Sequence, residues 1–283
     1  MLNLPSPGLR ARIALDKHGF RTTHSLGQNF LLDDPFLTGL LDAAGVGAGD
    51  NILEIGPGAG VMTALMAQRA KKVLAVEIDE KLRPVLGDVL APHGNAQVEF
   101  CDFMKADVDA LTKRAFGDEP YRVVANLPYY ITADILLRLS ACSNLPSDIA
   151  IMVQKEAAER LMSNPGSKNW CALAATVRYF GDCEVLEEVP PQCFNPPPHV
   201  DSCFVQIHMH DERLLSGEKE QKLLKLIKWC FHMRRKTLVN NLKACAGMKQ
   251  EEAVAALESA GLNAQVRGEA LTLEEMVRLS ECL

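Results

Sequence analysis

Short apolar runs alternate along this chain with longer segments built from good helix formers. The runs are Asn51 to Ile55, Val73 to Glu77, Gln97 to Phe100, Arg122 to Ala125 and Asp148 to Val153. Runs of this length, bounded by turn residues, read as buried strands. Val61 to Ala70 follows the first of them without a helix breaker. Asp34-Pro35 has the form of an N-cap with Pro at the first helical position, opening a helix to about Ala44. Asp79 is placed to cap a helix after the second strand, and a further helix is expected around Lys155 to Met162. Strands that alternate with helices of about ten residues predict an α/β fold, a doubly wound parallel sheet with right-handed crossovers.

Two more β-rich runs, Glu184 to Val189 and Cys203 to His208, are expected to pair as an antiparallel hairpin at the sheet edge. Between them lie Pro190-Pro191 and Phe194-Asn195-Pro196-Pro197-Pro198, a stiff loop. After Asp211 the pattern is helical only. These features divide the chain into a sheet domain over 1–209, with a basic arm over 1–32, and a small all-helical C-terminal domain over 210–283.

At 283 residues, 48% apolar and 23% charged, the chain can bury a substantial core and has an ordinary soluble composition. The net charge of −6 gives no hint of a nucleic-acid partner. Its distribution does. From Gln221 to Gln250 there are eight basic residues, among them Arg234, Arg235 and Lys236, and no acidic one. Such a window suits a surface that faces phosphates. The N-terminal arm, with Arg10, Arg12, Lys17 and Arg21, has Asp16 as its only acid before Asp33. The nine cysteines form no Cys-x-x-Cys pair and share no ligand spacing with histidine. No metal is therefore expected, and an unpatterned odd set suits a reducing compartment. The sequence has neither a secretory apolar core at its start nor an apolar run of about 18 residues. The expectation is a cytoplasmic monomer with no membrane partner.

Gly56, Gly58 and Gly60 follow a strand and open a helix, the context of a nucleotide-binding loop. Glycine there permits positive φ and lets backbone N–H groups approach a ligand. Glu77 ends the second strand 21 residues after Gly56, near the ~20-residue offset at which an acid binds ribose hydroxyls. The spacing is Gly-x-Gly-x-Gly rather than the dinucleotide Gly-x-Gly-x-x-Gly, and Glu54 stands two residues before the first glycine. That combination favours S-adenosylmethionine, which carries ribose and adenine but no pyrophosphate. Asp102, at the end of the third strand, is a candidate acceptor for the cofactor's exocyclic N–H; capping a helix is its plainer role.

Asn126-Leu127-Pro128-Tyr129 ends the fourth strand, placing one amide and one ring at the carboxyl edge of the sheet. The exocyclic nitrogen of adenine is a poor nucleophile because its lone pair is delocalised into the ring. Two acceptors, the side-chain oxygen of Asn126 and the carbonyl of Leu127, would bind both its N–H groups and favour the pyramidal nitrogen that forms as a methyl arrives. Pro128 stiffens the turn, and Tyr129 would stack on the base, a contact worth ~1–3 kcal/mol. Phe194, in the proline-rich loop, is the candidate for the other face, with core packing as its alternative. A base held this way must leave its duplex or come from a loop.

Ordered along the chain, Leu26-Gly27-Gln28-Asn29-Phe30-Leu31, Glu54-Ile55-Gly56-Pro57-Gly58, Val76-Glu77-Ile78-Asp79, Asn126-Leu127-Pro128-Tyr129, Gln154-Lys155-Glu156 and Phe194 to Ser202 form a set of motifs. On these, from the N-terminal arm to the tail, the chain resembles the ribosomal RNA adenine dimethyltransferases that act on small-subunit RNA. The resemblance implies a Rossmann-like methyltransferase sheet and S-adenosylmethionine as cofactor. It also implies two methylations at N6 on each of two adjacent adenosines near the 3′ end of that RNA, within an assembling small ribosomal subunit. The cofactor contacts it implies are Asn29, Leu31, Gly56, Gly58, Glu77, Ile78, Asp102 and Asn126. Where that family often has a basic residue after the triple proline, this chain has His199.

Three alternatives stand beside this reading. Large-subunit adenine methyltransferases that confer antibiotic resistance share a similar loop and an Asn-x-Pro-Tyr motif. The Val200-Asp201-Ser202 ending of the triple-proline segment and the long helical tail favour the small-subunit enzymes. A nicotinamide-dependent oxidoreductase would need a different glycine spacing. A ribosome assembly factor without catalysis would not need Asn126 and Tyr129.

Overall fold

The computed structural model describes residues 4–21 and 28–283. In chain order its elements are α1 (Pro7–Lys17), β1 (Phe30–Leu31), α2 (Asp34–Ala43), β2 (Asn51–Ile55), α3 (Val61–Ala67), β3 (Lys72–Glu77), α4 (Arg83–Leu90), β4 (Ala96–Phe100), α5 (Val108–Phe116), β5 (Arg122–Asn126), α6 (Thr132–Ser140), β6 (Asp148–Gln154) and α7 (Lys155–Leu161). There follow α8 (Ala172–Phe180), β7 (Gly181–Val189), β8 (Phe194–Asn195), β9 (Ser202–Met209), α9 (Gly217–Cys230), α10 (Leu238–Ala246), α11 (Gln250–Ser259) and α12 (Leu273–Cys282).

The chain forms two compact units. One holds the described residues up to Ala158 together with Glu184–Met209; the other holds Glu159–Cys183 and His210–Leu283. A single division at residue 209 therefore misplaces 159–183, which joins the helical unit. By sequence pattern, a helix between two strands looks like any other crossover.

In the first unit the sheet order is β4-β3-β2-β5-β6-β9-β7. β2, β3, β4, β5 and β6 run parallel, and β9 lies antiparallel to β6. Strands covered on both faces need apolar residues at successive positions. Val123, Val124 and Ala125 satisfy this in β5, and Ile52 and Leu53 in β2, all fully buried. From β2 the chain steps outward to β3 and β4, then returns to the opposite side of β2 with β5. The crevice outside the carboxyl ends of β2 and β5 is thus the topological switch point, where open α/β sheets bind their ligands.

Local chemistry sets the entry to this sheet. Asp33, rather than Asp34, caps α2 by accepting from the Phe36 N–H at 2.9 Å. Asp34 is the first helical residue, and its carboxylate accepts from the Gly8 N–H at 2.8 Å and the Ser6 hydroxyl at 2.6 Å. Lys17 and His18 both meet Asp88 on α4, at 2.7 and 2.9 Å, so part of the basic arm is neutralised within the fold. β7 and β9 are neighbours at the sheet edge as the pattern predicts. The segment between them makes a second, two-stranded sheet: β8 pairs antiparallel with β1, Leu31 opposite Phe194 and Phe30 opposite Asn195.

The second unit is helical apart from its share of β7. Leu223, Leu226 and Ile227 of α9, Leu238 and Leu242 of α10, Leu257 of α11 and Met276 and Leu279 of α12 are fully buried, as is Trp170. Gly268 packs so closely on α9 that a Cβ there would clash with the Cys230 carbonyl oxygen. Asn241 is fully buried. It accepts from the Met233 N–H at 2.7 Å and donates to the Thr237 carbonyl at 3.2 Å, clamping the turn between α9 and α10.

Candidate active site

The cavity at the switch point has about 1130 Å³ of empty space, counting its open mouth. Its walls include Asn29, Leu31, Gly56, Gly58, Glu77, Ile78, Asp102, Asn126, Leu127, Pro128 and Tyr129. The residues expected from sequence to hold a cofactor and a base thus line one space, with a single exception. Phe194 is 4% exposed and packs in the core with Leu31 and Phe204; it does not line the cavity. The reason is the β1–β8 pairing, which turns the start of the proline-rich loop inward.

The loop after β2 is shaped for a ligand. Gly56, Gly58 and Gly60 have φ of 73°, 56° and 78°, a region that side chains rarely adopt. A Cβ on Gly60 would meet Leu86 at 2.8 Å and one on Gly58 would meet Phe30 at 2.9 Å, whereas one on Gly56 would meet nothing within 4 Å. Packing therefore accounts for two of the glycines, and the first faces open space.

Glu77 closes one side of this loop. Its carboxylate accepts from Gly58 N–H at 3.2 Å, Ile78 N–H at 2.9 Å and Asp79 N–H at 2.8 Å. Burial nevertheless raises its pKa above the usual carboxylate range. Asp79 caps the turn that follows, accepting from the Lys81 N–H at 3.1 Å. Asp102 lines the cavity while accepting from the Met104 N–H at 3.0 Å and pairing with Lys105 at 3.0 Å. Those contacts, the Lys105 pair foremost, lower its pKa. Asp102 thus borders the cavity and caps only a turn; the helix that follows, α5, is capped by Asp107.

Glu54 is the cavity residue that sequence reasoning noted but did not place among the ligand contacts. It is fully buried. Its Oε2 accepts from the Thr63 hydroxyl at 2.5 Å, and its Oε1 has no protein partner. Burial pushes its pKa to about 8, against the Thr63 hydrogen bond and with a smaller push from the Glu77 charge. A buried orphan oxygen on a cavity wall normally has a ligand or water as its partner. Gln28, Phe103 and Tyr130 also line the space, and nothing in their spacing marked them.

The amide of Asn126 is oriented by its neighbour. Its Nδ2 donates to the Asn29 backbone carbonyl at 3.0 Å. A carbonyl only accepts, so the NH2 end of the amide must face Asn29 and the Oδ1 end is left for another donor. The Tyr129 hydroxyl lies 2.6 Å from the Ser202 hydroxyl. Ser202 is fully buried on β9, which fixes the tyrosine ring. Among the described residues, no group of three or more His, Cys, Asp or Glu side chains could hold a metal ion. No described helix is long and apolar enough to cross a membrane.

The basic turn of the second unit departs in part from expectation. Arg234 donates to Glu269 at 2.8 Å and to the Lys168 carbonyl at 3.0 Å, so its charge is used within the protein. Arg235 and Lys236 are exposed on the turn that Asn241 clamps.

The model of the family described as "Ribosomal RNA adenine dimethylase" matches residues 19–283. The chain belongs to that family. The ribosomal RNA small subunit methyltransferase A of Ligilactobacillus salivarius is 41% identical over 280 residues, covering 97% of this chain and 94% of the relative. The protein of that name from Geobacillus thermodenitrificans is 38% identical over 286 residues, covering 99% and 97%. Among solved structures, a dimethyladenosine transferase from Plasmodium falciparum has a TM-score of 0.73 at 25% identity, covering 87% of this chain and 94% of its own. The 23S rRNA methyltransferase ErmE has a TM-score of 0.66 at 27% identity, covering 90% and 99%. This member of the rRNA adenine dimethylase family has the doubly wound sheet that the sequence pattern implied, with the glycine loop, Glu77 and Asn126 around the cavity at its carboxyl edge.

The raised pKa of Glu54 has a consequence for stability. Between its ordinary value of 4.5 and about 8, the folded chain holds a proton that the unfolded chain has released. Its contribution is complete below the lower value and is lost as pH rises toward the upper one. Glu54→Gln removes this loss. In thermal melts at pH 5 and pH 8, the melting temperature of the variant relative to the parent is expected to rise with pH. A difference independent of pH would show that Glu54 ionises normally.

Proposed function

We propose that this dimethylase family member transfers methyl groups from S-adenosylmethionine to N6 of two adjacent adenosines near the 3′ end of small-subunit ribosomal RNA. The observation that carries the reading is the Asn126 amide, held by the Asn29 carbonyl with its oxygen left for a donor. An acceptor in that position on the cavity wall suits an exocyclic amino group.

The residues at the cavity fit the proposed cofactor. The unpartnered Oε1 of Glu54 suits its cationic end, the open side of Gly56 admits close approach, and Glu77 suits the ribose hydroxyls. Ile78 is 54% exposed at the cavity wall and offers an apolar edge to the cofactor adenine, with Asp102 as acceptor for its N–H. When bound, the cofactor supplies an electrophilic methyl on sulfur, and no metal is needed. The protein's part is alignment and electrostatic stabilisation. Asn126 Oδ1 and the Leu127 carbonyl accept the two N–H bonds of the target amino group, holding its lone pair toward the methyl. Tyr129, tied to Ser202, stacks on the base. Each methyl gained costs the nitrogen one N–H proton, released to solvent, so after the first transfer a single N–H is left for one of the two acceptors to hold while the lone pair again faces the methyl.

Small-subunit RNA is favoured over large-subunit RNA because relatives named for the small subunit reach 38–41% identity, against 27% for ErmE. The reading places the protein in the cytoplasm as a monomer acting on assembling subunits. The two units take separate roles, chemistry in the first and RNA contact in the second through Arg235 and Lys236.

Asn126→Ala is expected to bind S-adenosylmethionine in equilibrium dialysis yet lose about 10²–10³-fold in kcat, the cost of removing one preorganised polar group at the reacting centre. Normal turnover on unmethylated small subunits would remove the role assigned to Asn126. For the basic turn, Arg235→Ala and Lys236→Ala should each lower the slope of log K against log salt by about one unit. Slopes equal to the parent's would show that the turn does not meet phosphate. Arg234→Ala is expected to change the slope less, because Glu269 already neutralises it.

A further inference from the structure

A second cavity opens in the same unit and is not used by the chemistry above. Its walls are the end of β6 and the start of α7, with Gln154, Lys155 and Glu156, and the proline-rich loop, with Pro191, His199, Val200 and Asp201. It has about 720 Å³ of empty space, counting its mouth. Two of the motifs that mark the sequence, Gln154-Lys155-Glu156 and the tail of the triple-proline segment, meet here, and the methyl-transfer reading leaves both unexplained.

The linings of the two cavities have no residue in common, but Ser202 links them. Gln154 lies opposite Ser202 in the β6–β9 ladder, and the Ser202 hydroxyl is the group that holds Tyr129 at the first cavity. The Lys155 N–H donates to the Asp201 carbonyl at 3.0 Å, closing the ladder beyond that pair. The second cavity thus begins one residue from the anchor of the stacking ring, a step of about 3.3 Å along a strand.

Charge narrows the occupant. Lys155 is paired with Glu188 at 2.9 Å, and Glu156 and Asp201 add carboxylates to the walls. A phosphate group is disfavoured there. What the cavity offers is apolar surface on Pro191 and Val200, the latter 44% exposed, with the Gln154 carboxamide, the His199 imidazole and the Asp201 carboxylate as polar groups. That set suits a nucleoside. A glutamine amide can bind the N6/N7 edge of adenine with two hydrogen bonds, and a carboxylate can accept from a ribose 2′-hydroxyl, which DNA lacks.

We propose that this cavity seats the nucleoside next to the one whose base enters the first cavity, with Gln154 reading its base edge and Val200 and Pro191 packing on its ring. The inference rests on the proposed RNA substrate. It gives the enzyme a way to recognise a pair of adjacent adenosines rather than a single one.

The test is steady-state methyl transfer to unmethylated small subunits, either unaltered or with one of the two adenosines replaced by uridine and read at the remaining one. With the parent enzyme, at least one replacement is expected to raise KM about tenfold, the scale of one lost bidentate base contact. Gln154→Ala should raise KM about tenfold on unaltered subunits and add little on the sensitive uridine form. Val200→Ala should act in the same direction. S-adenosylmethionine binding by equilibrium dialysis should match the parent for both variants. The proposal is overturned if both variants keep the parental KM, or if they lose equally on unaltered and uridine subunits. If the parent transfers no methyl to unaltered subunits while still binding the cofactor, the substrate reading itself fails and this inference fails with it.

Discussion

The hydrogen bond from the Asn126 amide to the Asn29 carbonyl decides what the site can do. A carboxamide presents a donor at one end and an acceptor at the other, and free rotation would offer either to a substrate. By accepting one Nδ2 hydrogen at 3.0 Å, Asn29 turns the NH2 end toward itself and leaves the Oδ1 end for another donor. Asn29 is in turn placed by the two-residue strand that follows it, and that strand is held by its pairing with Phe194 and Asn195. Phe194 therefore serves the site from inside the core. Its ring is unavailable for stacking, yet its burial helps position the backbone oxygen that orients the amide.

Burial is the second organising constraint. Glu54 and Glu77 both sit at the glycine loop, and both are pushed toward the protonated form by desolvation. Glu77 is compensated by three backbone donors, while Glu54 has only Thr63. An incompletely satisfied buried carboxyl lowers stability unless something else satisfies it. The proposed cofactor would do so through its cationic end, which would link the local cost of Glu54 to the affinity of the cavity.

Much of this was legible in the sequence because it depends on local order. Strand runs, the glycine loop, the acid at the end of β3 and the tetrapeptide at the end of β5 all follow from residues close in the chain, and the parallel sheet gathers them at one edge. Contacts between distant segments were not legible. Phe194 beside a run of prolines looks the same whether its ring faces a ligand or the core, and only the β1–β8 pairing decides. Residues 159–183 look like one more crossover until their apolar positions are seen packing with the C-terminal helices. Arg234 stands in a basic window, but its partner Glu269 comes from an acidic stretch 35 residues later. The expected cap at Asp34 slipped by one residue because two adjacent aspartates precede the proline, and the second is claimed by Ser6 and Gly8.

The position of the transferred methyl groups is the direct readout of the Asn126 geometry. Unmethylated small subunits, incubated with the protein and labelled S-adenosylmethionine, can be digested to nucleosides and resolved by mass spectrometry. An amide oxygen that holds an exocyclic amino group predicts N6,N6-dimethyladenosine as the labelled product. Label on a ring nitrogen or a ribose oxygen, or no label at all, would contradict it.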